Sequence, residues 1–281
     1  MKIRVRKFEN IDFNKVIDAV TSLNVVAKDK CLRNQIKEKS QHDYVTSVDL
    51  YISEYLKTTL NRMDDSIGFF SEEEKGELTD PCWILDPIDG TTNLVREYKM
   101  SGISLGLYSE GEIVFGVVYN PFTDECFTAQ KGKGAYLNGK EIKVSDRRFQ
   151  DAIIEFGCGS THKEDFDENW TIGGYIFENC MDIRRTCCAS LALCYIACGR
   201  IEGYFEKVLK PWDIAAGSLI LTEAGGVCKT YANTDVEFKG DTNFVASNTD
   251  AVNRIIRSYI YDYFQEKAAA ELMGNSIYRD N

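Results

Sequence analysis

Between Phe13 and Cys31 apolar residues recur at helical spacing, at Phe13, Val16, Ile17, Val20, Leu23, Ala27 and Cys31, which predicts one long amphipathic helix. The polar stretch from Asn34 to Asp43 breaks the pattern. A second helix is predicted from about Thr46, with Thr46 and Asp49 as cap candidates and Val48, Ile52, Tyr55, Leu56 and Leu60 along one face. Ile67-Gly68-Phe69-Phe70 and Cys82-Trp83-Ile84-Leu85 read as short buried strands, each running into acids. From Ser101 to Tyr136 alternation and turn signals at Glu110-Gly111, Asn120-Pro121 and Asn138-Gly139 predict an antiparallel meander. The second half alternates: strands at Ile153 to Phe156, Met181 to Arg184, Gly203 to Glu206 and Phe244 to Ala246, with helices at Ala189 to Cys198, Trp212 to Glu223 and Ala251 to Phe264 and a further helix-like segment after the first strand. That order implies layered packing of helices on sheets. The composition shift over Ser145 to Asp151 divides the chain into an N-terminal α+β half, residues 1–148, and a C-terminal α/β half, 149–281. The tail from Ala268 has no repeating core pattern and is expected to be partly disordered or packed on a neighbour.

With 281 residues and 44% hydrophobic content the chain can bury a core of its own. A net charge of −11 argues against nucleic acid or an anionic membrane as partner, and Arg4, Arg6 and Lys7 are too few to make a basic patch. The opening Met1-Lys2-Ile3-Arg4-Val5-Arg6 has no apolar segment of the kind that directs secretion, so the ten cysteines are expected to be reduced, in a cytoplasmic protein. Those in apolar stretches, Cys31, Cys194 and Cys198, are expected to pack as small hydrophobes. There is no C-x-x-C pair and no phosphate-cradling C-x5-R loop; Cys194 and Arg200 are six apart in an apolar helix. His42 and His162 are the only histidines, and His42, in a polar stretch, is expected to face solvent.

The densest chemistry lies in Asp86-Pro87-Ile88-Asp89-Gly90-Thr91-Thr92-Asn93, where an apolar run ends in two acids held three apart by a rigid proline. Hard carboxylate oxygens in a fixed turn suit a divalent cation, and the N–H groups and hydroxyls after them suit a phosphate. Together with Ser71-Glu72-Glu73, Asp43-Tyr44-Val45-Thr46-Ser47-Val48-Asp49, Pro211-Trp212-Asp213-Ile214-Ala215-Ala216-Gly217 and Thr222-Glu223-Ala224-Gly225-Gly226, the octapeptide resembles the inositol monophosphatase family of magnesium-dependent, lithium-sensitive phosphatases. The resemblance runs from about Phe13 to Asn248.

By that resemblance, the fold would be α+β, a five-layered α-β-α-β-α sugar-phosphatase fold, in a homodimer. The cofactor would be Mg²⁺. Glu72, Asp86 and the main-chain carbonyl of Ile88 would hold one ion; Asp86, Asp89 and Asp213 would hold a second. Thr91 and Asp49 would orient and deprotonate the attacking water. Substrate would meet Asp89, Gly90, Thr91, Asp213, the start of the helix at Ala189, and Glu206, whose carboxylate suits neighbouring hydroxyls. Four carboxylates gathered without a cation would repel one another and raise at least one pKa, so the site is expected to be poorly formed in metal-free protein.

These features predict a phosphomonoesterase acting on a small polyol phosphate such as inositol 1-phosphate. Two departures bear on substrate: Arg185-Thr186-Cys187-Cys188-Ala189-Ser190 stands where the family has glycine and small residues, and Ser71 where glycine is common. Ile88 and Thr92-Asn93 match the monophosphatase branch better than the 3′-phosphoadenosine 5′-phosphate phosphatases. A fructose-1,6-bisphosphatase would use Arg184, Arg185 or Lys210 for a second phosphate. An alternative of another class is a non-catalytic metal-binding scaffold on the same fold.

Overall fold

The computed structural model describes residues 8, 11–40, 43–74, 76–158 and 165–277, with backbone alone at 43 and 271–277. The expectations for Arg4, Arg6, Lys7, His42 and His162 lie outside the described residues. Helix α1 (Phe13–Ser22) is capped by Asp12 and buries Val16, Ala19 and Val20. The single helix predicted as far as Cys31 is broken into α2 (Asn24–Ala27) and α3 (Lys30–Arg33), because the Asp29 carboxylate takes the N–H groups of Cys31 and Leu32 and starts a new turn. Cys31 is exposed rather than packed. The polar stretch beyond it is an antiparallel hairpin of β1 (Ile36–Ser40) and β2 (Asp43–Thr46); every β1 side chain is exposed, so no apolar alternation marks it. Helix α4 (Ser47–Met63) starts as predicted, with the Thr46 hydroxyl accepting from Val48 N–H and the Asp49 carboxylate accepting from Thr46 N–H.

Strands β3 (Gly68–Ser71) and β4 (Cys82–Asp89) pair in parallel, and β4 leads through Gly90 into the short helix α5 (Thr91–Val95). The meander β5 (Gly102–Ser109), β6 (Glu112–Asn120), β7 (Glu125–Gln130), β8 (Ala135–Leu137) and β9 (Lys140–Ile142) completes a seven-stranded sheet in sequence order from β3 to β9. Glu110-Gly111 and Asn138-Gly139 make its turns with positive φ at both positions. Then come β10 (Ile153–Phe156), α6 (Phe166–Phe177), β11 (Asp182–Arg184), α7 (Ala189–Ala197), β12 (Gly203–Leu209), α8 (Pro211–Glu223), β13 (Val227–Thr230), β14 (Thr242–Ser247) and α9 (Asp250–Ile277). Their sheet has the order β11-β10-β12-β14-β13. Strand β13 is not foreshadowed in the sequence pattern: it is half-buried throughout and has no apolar alternation. Helix α9 continues past Phe264 to Ile277, so the tail, expected to be partly disordered or packed on a neighbour, is helical as far as Ile277; residues 278–281 lie outside the described part.

Three cores define the layers. Helices α1 and α4 bury Val16, Val20, Ile52 and Leu56 against Trp83, Leu105 and Phe115 of the seven-stranded sheet. Helices α7 and α8 fill the space between the sheets; α8 is buried without interruption from Ile214 to Leu221, as an inner helix must be. Outside the second sheet, Ile172 and Ile176 of α6 and Val252, Ile256 and Ile260 of α9 close the third core. The order is α-β-α-β-α. Because α7 and α8 touch both sheets, their N-terminal turns meet the end of β4: Ser190 N–H donates to Asp89, and Ser104 of β5 donates to the Trp212 carbonyl at 3.3 Å.

Candidate active site

Proline cannot donate to a sheet ladder, and the register of β4 against β5 slips where Pro87 stands: Asp86 faces Ser104, but Asp89 faces Gly102. The bulge turns both acids toward the inner helices. Gly90 then adopts φ 84, and a Cβ there would meet the Met100 carbonyl oxygen at 2.9 Å and the Cys187 carbonyl oxygen at 3.3 Å. Only glycine serves this turn. Glu72 is tied to the same strand by its N–H, which donates to the Leu85 carbonyl at 3.2 Å.

Three of the four acids are engaged from the protein side. Asp89 Oδ2 accepts from Ser190 N–H at 2.7 Å, Ser190 Oγ at 2.6 Å and Cys188 Sγ at 3.2 Å. Asp213 Oδ2 accepts from Lys210 N–H at 2.7 Å. Glu72 Oε1 pairs with Lys39 Nζ at 3.0 Å, and the same ammonium binds Glu73 at 2.6 Å. Asp86 differs: it is 2% exposed, and its Oδ1 is a buried oxygen with no hydrogen-bond partner. Burial, then Glu72, Asp89, Asp213 and Asp49 in turn, push Asp86 well above the usual carboxylate range. Burial also raises Asp89 against the pull of its Ser190 and Cys188 bonds, and raises Asp213 well above the ordinary value with Asp89 adding to it.

No three His, Cys, Asp or Glu side chains among the described residues are drawn close enough to hold a metal ion. Glu72, Asp89 and Asp213 are each bonded to a protein donor. Magnesium nevertheless suits this donor set, which is all oxygen, sits within mutual electrostatic reach and leaves Asp86 Oδ1 unsatisfied.

Thr91 Oγ1 donates to the Ile88 carbonyl at 3.0 Å and reaches Asp49 Oδ1 at 3.3 Å, which joins α5 to α4. Asp49 is fully buried, and its Oδ2 accepts from Thr46 N–H at 2.8 Å and Thr46 Oγ1 at 2.5 Å. Burial raises Asp49 from the ordinary 3.8 to about 6, against those two bonds. So the capping-box acid in the first turn of α4 is also the partner of Thr91.

A cavity of about 610 Å³ opens beside these residues, lined among others by Asp89, Gly90, Thr91, Ala189, Glu206 and Asp213. Every substrate-side residue implied by the resemblance therefore lines one cavity, while the Ser190 N–H at the start of α7 is already spent on Asp89. Tyr204 donates its hydroxyl to Glu206 Oε2. Burial raises Glu206 to about 7, with the Tyr204 bond opposing and Asp89 adding. Of the cations considered for a second phosphate, Arg184 pairs with Asp182 and Lys210 with Asp241 at 2.8 Å, whereas Arg185 lines the cavity and donates to the Cys158 carbonyl.

Lys39, Cys188, Ser190 and Gly157 escape the sequence reading. Lys39 lies in a stretch that reads only as polar, and Cys188 and Ser190 stand out only as departures from the family's pattern. Gly157 comes directly after β10, and a Cβ on it would fall 1.8 Å from Glu206 Oε2, so its bare backbone makes the seat for that carboxylate.

The profile of the inositol monophosphatase family matches residues 5–268. The Nus factor SuhB of Vibrio cholerae is 35% identical over 227 residues, covering 79% of this chain and 85% of that protein. An inositol-1-monophosphatase of Mesorhizobium japonicum is 37% identical over 202 residues, covering 68% and 74%. Among solved structures, the extragenic suppressor protein SuhB of Bartonella henselae superposes with a TM-score of 0.82 at 30% identity, over 88% of this chain and 97% of its own. With the acid-bearing bulge of β4, the two inner helices that meet it and this match over nearly the whole length, the chain belongs to the inositol monophosphatase family.

Proposed function

We propose that this protein is a Mg²⁺-dependent phosphomonoesterase that hydrolyses a small polyol phosphate such as inositol 1-phosphate. The observation that carries the reading is the buried, unpartnered Asp86 Oδ1, on a carboxylate that feels the charges of Glu72, Asp89 and Asp213. Glu72, Asp86 and the Ile88 carbonyl would hold one ion, and Asp86, Asp89 and Asp213 the other. When bound, the ions supply positive charge to the phosphate and lower the pKa of an attacking water. That charge also lets an acidic chain take an anionic substrate.

The chain's own residues do the rest. Thr91 Oγ1 orients the water, and Asp49 Oδ1, 3.3 Å from that hydroxyl, receives the proton. Burial disfavours the charged form of Asp49 and so makes it a readier proton acceptor than an exposed carboxylate. Asp89 and Asp213 help to align the ester, and Gly90 lets the chain approach it closely. Glu206 spends Oε2 on Tyr204, so Oε1 is the oxygen offered to the substrate's hydroxyls. Lithium inhibition is expected from the same ligand set, a singly charged ion taking the place beside Asp213. A solved relative of 23% identity, SaIMPase-II, has inositol monophosphate bound, which fits this class of substrate.

A second reading, a substrate with two phosphates, draws support from Arg185 and Arg96 on the cavity wall. Phosphate release from inositol 1-phosphate, an aryl phosphate and fructose 1,6-bisphosphate decides between them. Glu206→Gln should lower kcat/KM for inositol 1-phosphate about tenfold or more and spare the aryl ester. A parent that prefers the bisphosphate, and loses the preference in Arg185→Ala, would displace the polyol reading.

A further inference from the structure

A carboxylate stands where none is expected. Strand β10 is Ile153-Ile154-Glu155-Phe156, between β11 and β12 in the second sheet, and Glu155 is 1% exposed. A buried charge is costly unless its bonds repay it. Glu155 Oε1 accepts from Thr186 N–H at 2.8 Å and from the Thr186 hydroxyl. Thr186 lies between Arg185 and Cys187, and all three line the cavity.

The connection continues into the other half of the molecule. The Thr186 carbonyl accepts from Asn93 Nδ2 at 2.7 Å, and the same amide donates to the Met100 carbonyl at 2.8 Å. Asn93 closes the Asp86-to-Asn93 motif. The Cys187 carbonyl packs on Gly90 of that motif, and Cys187 itself is held at φ 58, a conformation that side chains adopt only when their surroundings impose it. On the far side, α7 is anchored independently by its buried residues from Ala189 to Cys194. The segment 185–187 therefore hangs between two firm elements, and Thr186 is the post that ties it to both β10 and the motif.

We infer that Glu155 is a positioning residue for substrate selection: through Thr186 it fixes the Arg185-to-Cys187 wall against the Asp86-to-Asn93 motif, and so sets the room left for the part of the substrate that is not phosphate. Asp89 takes its bonds from Ser190 in the first turn of α7 and from Cys188 at its N-cap, and not from Glu155. The loss of Glu155 acts first on the fit of the polyol, by freeing the wall that Thr186 holds. The inference rests on the polyol-phosphate reading for its kinetic arm only.

The test compares Glu155→Ala, Glu155→Gln and Thr186→Val with the parent in steady-state kinetics at saturating Mg²⁺ and in hydrogen exchange of peptides spanning 183–189. Glu155→Ala should raise KM for inositol 1-phosphate about tenfold with kcat within about threefold, and change KM for an aryl phosphate by less than about threefold. Glu155→Gln keeps an acceptor oxygen for Thr186 and should restore most of the affinity. Thr186→Val, which leaves the buried carboxylate in place and so keeps the test open where the alanine variant fails to fold, should move KM in the same direction by a smaller factor. Exchange of the Thr186 amide should quicken in Glu155→Ala and stay slow in Glu155→Gln, while peptides of α7 stay protected in both. Equal losses of kcat on both substrates, or a glutamine variant as impaired as alanine, would overturn the inference, as would unchanged exchange at 183–189. If the parent turns over no polyol phosphate, the substrate reading fails, and the exchange data still decide the role of Glu155.

Discussion

Replacing Gly157 by alanine tests whether Glu206 selects the substrate. The added Cβ would stand 1.8 Å from Glu206 Oε2, 2.1 Å from its Cδ and 2.6 Å from Oε1, distances that no pair of non-bonded atoms tolerates. The Gly157 backbone is held by its N–H to the Phe205 carbonyl at 3.0 Å, so the carboxylate is what moves. The displacement has two effects. Tyr204, 1% exposed, loses the acceptor of its hydroxyl. A buried hydroxyl left without a partner costs about 1–3 kcal/mol, and in a chain of this size each kcal/mol lowers Tm by roughly 2–4 °C. The substrate's hydroxyls lose a charge-assisted bond of about 1.5–3 kcal/mol, so kcat/KM for inositol 1-phosphate should fall about 10- to 150-fold. An aryl phosphate, with no ring hydroxyls to place, should stay within about threefold. The assay is phosphate release from both esters by folded variant and parent, with Glu206→Gln alongside. Inositol 1-phosphate turnover within about twofold of the parent would refute the reasoning, since no carboxylate can remain where Glu206 now is. Equal losses on both esters would move Glu206 to the support of the metal ligands.

Asp49 and Glu206 hold protons more tightly in the folded protein, at about 6 and about 7 against ordinary values of 3.8 and 4.5, so the folded state carries the extra protons in that window and stability falls as pH rises through it. The carboxylates held low by their partners, Glu125, Asp182 and Asp235, act below it. Metal-free protein should therefore melt higher at about pH 5 than at about pH 8, and added Mg²⁺ should flatten the difference; a Tm that rises with pH over that range would contradict the burial of these acids. Cys187→Gly should raise Tm, because a left-handed φ of 58 costs a side chain about 1 kcal/mol; a lower Tm would mean that contacts of the thiol outweigh the strain. Thr91→Ala should lower kcat far more than it raises KM, since its hydroxyl acts on the water and not on the ester. A change confined to KM would take Thr91 out of that role.

Much of the fold is written in periodicities that burial imposes. The meander from Gly102 to Ile142 and the inner helices α7 and α8 arise from alternation, turn glycines and continuous apolar runs. The hairpin of β1 and β2 leaves no such trace because every side chain of β1 is exposed. Asp29 is legible only as a polar residue, yet one carboxylate on two N–H groups breaks the predicted helix. At the site, Asp86, Asp89 and Thr91 stand out because their chemistry is carried by adjacent residues in one motif, and Glu72, Asp49 and Asp213 because each sits in a short motif of its own. The parts that position them do not. Asp89 with Ser190 and Thr186 with Glu155 are joined by bonds between distant stretches of chain that no local spacing encodes. Gly157 matters for an atom it lacks, beside a residue 49 positions later in the chain, and only the folded structure brings the two together.

The central claim is that the acids around Asp86 gather Mg²⁺ to cleave a phosphomonoester. Its most direct test is phosphate release from inositol 1-phosphate as Mg²⁺ is titrated from none to saturation, with parent and Asp86→Asn side by side. The account predicts no turnover without metal, a saturable rise in the parent, and a loss of at least about 1,000-fold in Asp86→Asn at any Mg²⁺, because an amide cannot replace a carboxylate that serves both ions. Turnover by Asp86→Asn within about tenfold of the parent, or parent activity that chelation leaves intact, would contradict it.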